Sequence, residues 1–343
     1  NYTSANYQIF KSAKESDFEI SDDGDITAYS GTYTAILVPD TINGITPTAI
    51  GENCFKNSSI VHIELPNTIK KIKTSAFENS NLQKIKALGV THCWQSAFKN
   101  CASLYEENMP NIEYINEATF YNCNMLTKLS FKDSLKYAQC GAGVDGIGAL
   151  KGTGITEADF PNLISLRRTF ENTPVKYANL PKLTELDGGF KNCALLSELN
   201  IPSVTVISRE AFANCVSLPK EMDFSNITEV GYFGFKDSLF ETLDLPNCTY
   251  LWGDAFYNAS AKSIDLPKCK TLGGNDFAGD KLEYVNIENV ENIDNEIEQE
   301  FTNCFSLKSI YAPKLKQIPS YVFDEKGINE IEHGKVPTLE YVY

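Results

Sequence analysis

The chemistry open to this chain is bounded first by its histidines and cysteines. Only His62, His92 and His333 occur in 343 residues, in three well-separated segments. No two are expected to share a metal centre, which leaves a two-imidazole site without its ligands. His92-Cys93 could form a nucleophile pair, but adjacent residues of an extended chain point to opposite sides. None of the ten cysteines belongs to a CxxC pair, so neither a zinc ribbon nor a thioredoxin-like motif is supported. Gly141-Ala142-Gly143-Val144-Asp145-Gly146 spells GxGxxG, which binds a pyrophosphate only between a strand and a helix. Gly148, Gly152 and Gly154 follow it and oppose a helix, so the segment reads as a flexible insertion. No clustered nucleophile and base emerges. No catalytic residue, metal ligand or cofactor is assigned, and the chain is read as a non-enzyme.

Charge narrows the partners. Forty-five acidic against thirty basic residues give a net charge of -15. Such a surface repels the phosphates of nucleic acid and of anionic membranes. The longest apolar runs, such as Ala35–Val38, are strand-sized, far below the roughly 20 residues of a membrane-spanning helix. No direct membrane insertion is expected from this segment, and neither a leader nor an anchor is visible in it.

The elements that position side chains are set by a repeat. A small residue, Phe, one variable residue and Asn, often followed by Cys, recurs as Ala76-Phe77-Glu78-Asn79, Ala97-Phe98-Lys99-Asn100-Cys101 and Ala211-Phe212-Ala213-Asn214-Cys215. Anchor positions fall every 20–24 residues, with one interval of 30 from Phe120 to Leu150, for about thirteen units. An apolar residue and Pro follow most anchors by 11 or 12 residues, as at Leu65-Pro66, Leu180-Pro181, Leu245-Pro246 and Leu266-Pro267. An aliphatic residue precedes many anchors by about five: Ile50, Ile72, Ile115, Ile207, Val230 and Leu251. A fixed period of this length is the mark of a solenoid, in which each coil buries its apolar side against its neighbours.

Before each Pro the pattern alternates. In Ile63-Glu64-Leu65 the two aliphatics share one face of an extended strand, and Pro66 cannot donate the next ladder hydrogen bond. One short strand per coil builds one parallel sheet on one face. The opposite side is expected to hold irregular or 3₁₀ turns plugged by the anchor Phe, with the Asn inside bonding backbone groups. Cys101, Cys123, Cys193, Cys215 and Cys304 share one phase. They are either buried thiols acting as small apolar groups or, in neighbour pairs such as Cys101/Cys123, Cys193/Cys215 and Cys248/Cys269, disulfides.

This combination resembles the BspA-like leucine-rich repeat family of bacterial cell-surface proteins, over about residues 45 to 335. The resemblance implies a repeat solenoid of leucine-rich repeat type, in the α/β class by convention. Residues 1–45 are expected to cap its first coil. Residues 46–343 form the solenoid, with a Gly-rich insertion near 132–148.

Alternation assigns the solvent side of the strands, and that face is the candidate site. It carries Lys84, Lys86 and Lys128 early, then the acids Glu157, Asp159, Glu198, Glu221, Asp223, Asp244 and Asp265, with Tyr177 among them and Tyr284 and Tyr311 beyond. A face basic at one end, acidic in the middle and aromatic beyond suits a cationic protein segment. Calcium bridging between neighbouring carboxylates is the alternative use, although no EF-hand or nonapeptide motif is present. The resemblance implies a noncatalytic, extracellular or surface-attached adhesion module, monomeric, with a host matrix protein or a bacterial surface protein as partner. The alternative is an accessory substrate- or glycan-binding part of a larger surface enzyme system.

Overall fold

The computed structural model describes residues 11–140, 146–219, 222–279, 281–293, 300–304, 306–316, 322 and 341–342. Most of the GxGxxG segment, His333 and Glu221 lie outside the described residues. Two compact units form, residues 1–155 and 156–343. Both are β-solenoids of leucine-rich repeat type.

In the first unit, Ala35–Leu37, His62–Glu64, Lys84–Lys86 and Glu106–Asn108 pair in parallel, with Ile36, Ile63 and Ile85 in register and buried. His62–Glu64 and Lys84–Lys86 are strands that alternation expects. Lys11–Ser12 joins the same sheet beside Ala35–Leu37. A second parallel ladder runs through Asp25–Tyr29, Ala49–Ile50, Lys71–Ile72, His92–Cys93, Tyr114–Ile115 and Tyr137–Ala138. Phe18–Ile20 closes it with an antiparallel partner for Asp25–Tyr29. Residues ahead of 45 therefore extend both ladders.

The second ladder is an addition to the expected turns. Its cause is the aliphatic column five residues before the anchor. Ile50, Ile72 and Ile115 are its inward residues, each fully buried, and Cys93 fills the same place. Two residues per coil are enough to pair, but too few for alternation to reveal a strand.

In the second unit the first ladder comes in two pieces. Glu157–Asp159, Tyr177–Asn179 and Glu198–Asn200 form one sheet. Thr242–Asp244, Ser263–Asp265, Tyr284–Asn286, Ser309–Tyr311 and Tyr341–Val342 form the other. The second ladder holds Ser165–Arg167 with Glu185–Asp187, and Val206–Ile207 with Glu229–Val230 and Tyr250–Leu251.

The anchor phenylalanines stack inside each unit. Phe55, Phe77, Phe98 and Phe120 follow one another at ring-centroid distances of 5.0, 5.2 and 5.0 Å, nearly parallel. Phe170, Phe190, Phe212, Phe235, Phe256, Phe277 and Phe301 repeat this at 5.2–6.0 Å. Coils about 4.8 Å apart hold the rings close to the favoured offset-stacked separation. Each anchor N–H donates to the neighbouring coil, as from Phe77 to the Ala97 carbonyl at 2.7 Å and from Phe98 to the Thr119 carbonyl at 2.8 Å. The turn that carries the ring is thus tied to its neighbour without being a strand.

The Asn after the anchor serves the backbone differently from the expectation. Asn79, Asn100 and Asn122 have φ of 57°, 59° and 60°, a region that Asn tolerates and most residues avoid. Their side chains are at least partly exposed and bond to one another: Asn100 donates to Asn79 at 3.0 Å, and Asn122 to Asn100 at 3.1 Å. Asn172, Asn192 and Asn214 repeat the ladder at 2.8 Å.

The in-phase cysteines are thiols rather than disulfides. Cys101, Cys123, Cys193 and Cys215 donate to the carbonyls of Phe77, Phe98, Phe170 and Phe190 at 3.0–3.1 Å. Thr153 and Thr173 stand in the same column, where their hydroxyls donate to Leu150 at 2.8 Å and Phe170 at 2.6 Å. The column therefore selects a small side chain that can donate to a buried carbonyl, and thiol and hydroxyl both meet that need.

Candidate functional site

The strand face of the second unit carries the candidate residues in two groups. Register places Glu157, Tyr177 and Glu198 on consecutive rungs, with Asp159, Asn179 and Asn200 two residues further along each strand. The Asn179 amide donates to Asp159 at 2.8 Å, and that of Asn200 to Asn179 at 2.7 Å. Ala158 and Ala178 turn inward and are fully buried, so the outward direction of their neighbours follows from the strand period.

In the second group Asp244, Asp265, Asn286 and Tyr311 stand on consecutive rungs, with Thr242, Ser263, Tyr284 and Ser309 in the parallel row. Leu243, Ile264, Val285 and Ile310 face the interior. The Asn286 amide donates to Asp265 at 2.5 Å. Burial and, second, the charge of Asp265 push the Asp244 carboxyl up from its ordinary value. Burial, Asp265 and Tyr311 likewise push the Tyr284 phenol up. Tyr284 and Tyr311 are each 38% exposed. Both stand on the rungs that follow the Asp244 and Asp265 pair, so the face offers carboxylates and then aromatic rings, groups that can draw a lysine or arginine side chain by charge and by ring face.

Asp223 belongs to neither group. It is exposed, outside any strand, and its carboxyl is lowered by the hydroxyl and backbone N–H of Ser225. The acidic band is therefore two patches on separate sheets, and the chain between them departs from the Pro-ended strand pattern at Met222-Asp223-Phe224.

Two of the early lysines of the first unit, Lys84 and Lys86, are neutralised where they stand. Lys84 pairs with Glu106 at 2.8 Å and Lys86 with Glu64 at 3.1 Å, each across one rung. Lys84 also lies over the Tyr105 ring at 5.3 Å. His62, an outward residue by alternation, is buried, and that burial lowers its basicity. His92 and Cys93 point apart as expected: His92 is partly exposed and stacks on Tyr114 at 4.6 Å, while Cys93 is fully buried.

Four buried acids, Glu107, Glu171, Asp276 and Glu300, escaped the sequence reading. Glu107 sits in the inward place that Ile63 and Ile85 hold on neighbouring strands. Its carboxylate accepts the Ser130 hydroxyl at 2.6 Å and the Met109 N–H at 3.2 Å, and also bonds the Ser130 N–H. Burial nevertheless pushes it up to about 7. Asp276 and Glu300 stand directly before the anchors Phe277 and Phe301, where a small residue is usual. Their signal was present as a carboxyl in an apolar slot.

Among the described residues, no group of three His, Cys, Asp or Glu is placed to hold a metal ion. No helix among them is long and apolar enough to cross a membrane.

The match to a family model agrees with this architecture. A family model described as BspA type Leucine rich repeat region matches residues 48–166, 184–299 and 228–340, with six copies. No curated protein matches the chain. Among solved structures, a leucine rich cell surface protein from Faecalibacterium prausnitzii is 17% identical, covering 95% of this chain and 92% of its own, with a TM-score of 0.48. A leucine-rich repeat protein from Bacteroides ovatus is 16% identical, covering 90% and 96%, with a TM-score of 0.49. One from Eubacterium ventriosum is 14% identical, covering 94% and 89%, with a TM-score of 0.45. With its repeats matched over most of its length, the chain belongs to the BspA type leucine-rich repeat family.

Proposed function

We propose that this chain is a noncatalytic protein-binding module of the cell surface or extracellular space, and that it binds through the strand face of its second unit. The observation that supports this reading is the row Asp244, Asp265, Asn286 and Tyr311, exposed or half-exposed on consecutive rungs above a buried aliphatic row. A surface of charge and aromatic rings on a rigid sheet costs little ordering entropy on binding, which favours recognition. The partner is a host matrix protein or a neighbouring bacterial surface protein that offers a cationic segment. Family membership supports the surface location and the binding role.

The test is surface plasmon resonance of the monomeric chain against a panel of host matrix and bacterial surface proteins. The double reversal Asp244→Lys with Asp265→Lys should weaken the contact by tenfold or more and remove most of its salt dependence. Undiminished binding by the double variant discards the face assignment.

A further inference from the structure

A cavity of about 550 Å³ opens in the second unit, beside the start of the sheet formed by Thr242–Asp244 and its partners. Its volume lies within the usual range of small-ligand sites, roughly 300–1,000 Å³. The residues at 216–218 and 239–241 that begin it lie in the sequence between the two pieces of the first ladder. Leu239 and Ser260 form a parallel bridge, so successive lining residues come from successive coils and the cavity is a trough along the stack.

The trough is chemically graded. Buried Leu218, Phe240 and Ala261 make an apolar floor, and Val216 and Leu239, 46% and 47% exposed, make an apolar wall at one end. Two coils on from Leu239, about 10 Å at the coil spacing, Lys281 lines the other end. The lining carboxylates each have a cation: Glu241 pairs with Lys262 at 3.1 Å, and Glu283 with Lys308 at 2.6 Å. Lys281 instead donates to a neutral group, the Ser260 hydroxyl, at 3.2 Å.

We infer that this trough binds the end of an extended peptide, with an apolar side chain against Val216 and Leu239 and the C-terminal carboxylate on Lys281. Charge complementarity selects the carboxylate, because among the described residues Lys281 is the lining cation whose hydrogen-bond partner is a neutral hydroxyl. The serines set in this otherwise largely apolar lining select a peptide over a fatty acid. Ser217, Ser260 and Ser306 line the same trough, and a hydrocarbon chain laid across them would remove water from hydroxyls without replacing its hydrogen bonds. A peptide backbone offers donors and acceptors along its whole length. This site shares no residue with the strand-face reading and does not depend on it.

The test uses the full chain and a pool of octapeptides with four randomised C-terminal residues, made once as free acids and once as amides. Retained free-acid sequences should be rich in apolar residues, and the amide of each should bind at least tenfold more weakly by fluorescence polarisation. Lys281→Gln should erase the difference between acid and amide. Leu239→Asp, at a position 47% exposed, should abolish retention of both. Equal retention of the two pools, or an acid preference that survives Lys281→Gln, overturns the assignment. So does decanoate binding in a chain that retains no peptide. Neither Lys281 nor Leu239 enters the strand-face assay, so failure of one reading leaves the other standing.

Discussion

The backbone N–H of Asp276 donates to the carboxylate of Glu300 at 3.1 Å, joining two acids that occupy the same slot on consecutive coils. Both are buried, at 0% and 1% exposure. Asp276 in turn accepts from the N–H groups of Ala255 at 3.1 Å and Gly273 at 2.7 Å. Each acid thus reaches back to the N–H before the preceding anchor, while the interior disfavours its charge. Burial first, and the Glu300 charge second, push Asp276 well above the ordinary carboxyl range, and the two N–H bonds only moderate the rise.

That pair should make the second unit lose stability as pH rises. A group whose folded value lies above its unfolded one takes up a proton on folding. Its stabilisation is fully present below the unfolded aspartate value of 3.8 and is lost as pH rises through the raised folded value. Urea midpoints measured from pH 4 to pH 8 should fall along the series. Glu300→Gln removes the neighbouring charge, so its midpoint should vary less and should exceed the parent's at pH 8. A parent and variant that fall in parallel would show that the pair is not the cause.

Glu107 predicts a second and better bounded dependence. Its value moves from 4.5 to about 7 on folding. The stabilisation is full below pH 4.5 and is lost as pH rises toward 7. About 2.5 units at roughly 1.4 kcal/mol each makes the loss on the order of 3 kcal/mol. Glu107→Gln keeps an acceptor for Ser130 and cannot ionise. Relative to the parent, it should gain stability between pH 5 and pH 8 in matched urea titrations of the first unit, followed by the fluorescence of Trp94. No relative gain would mean that the carboxylate is ionised and stable where it lies.

Glu107 also shows where the sequence was legible and where it was not. Ile63 and Ile85 announced their strands, because an aliphatic between two polar residues has one sensible orientation. Lys128-Leu129-Ser130 has the same pattern but forms no strand. The Ser130 N–H and hydroxyl turn onto the Glu107 carboxylate, and Met109 N–H donates to the Ser130 hydroxyl at 2.8 Å. The ladder ends through a side chain one coil away, which alternation within a single coil does not show. The anchor rings were legible for the opposite reason, since a buried Phe every 20–24 residues has few alternatives to stacking. At the candidate face the outward side chains of each strand could be read off, but continuity between strands could not. Whether Glu198–Asn200 and Thr242–Asp244 share a sheet depends on the chain between them, where the Pro-ended pattern fails.

The asparagine ladder offers a test that separates backbone conformation from side-chain bonding. Asn100 has a φ of 59°, donates to Asn79 and accepts from Asn122. Asn100→Gly removes both side-chain bonds and leaves the backbone unstrained. Asn100→Ala removes the same bonds and keeps a Cβ in the left-handed region without the tolerance of asparagine, at about 1–2 kcal/mol relative to glycine. Glycine's extra freedom in the unfolded chain offsets about 0.5–1 kcal/mol of that difference. The glycine variant should therefore be more stable than the alanine variant by roughly 0.5–1 kcal/mol, with the parent above both. The gap between parent and glycine includes the value of the two amide bonds, which at an exposed site should stay near 1 kcal/mol or below. Thermal and urea unfolding of the three proteins gives the order directly. An alanine variant equal to or more stable than the glycine one would mean that the conformation after the anchor is not what selects asparagine there.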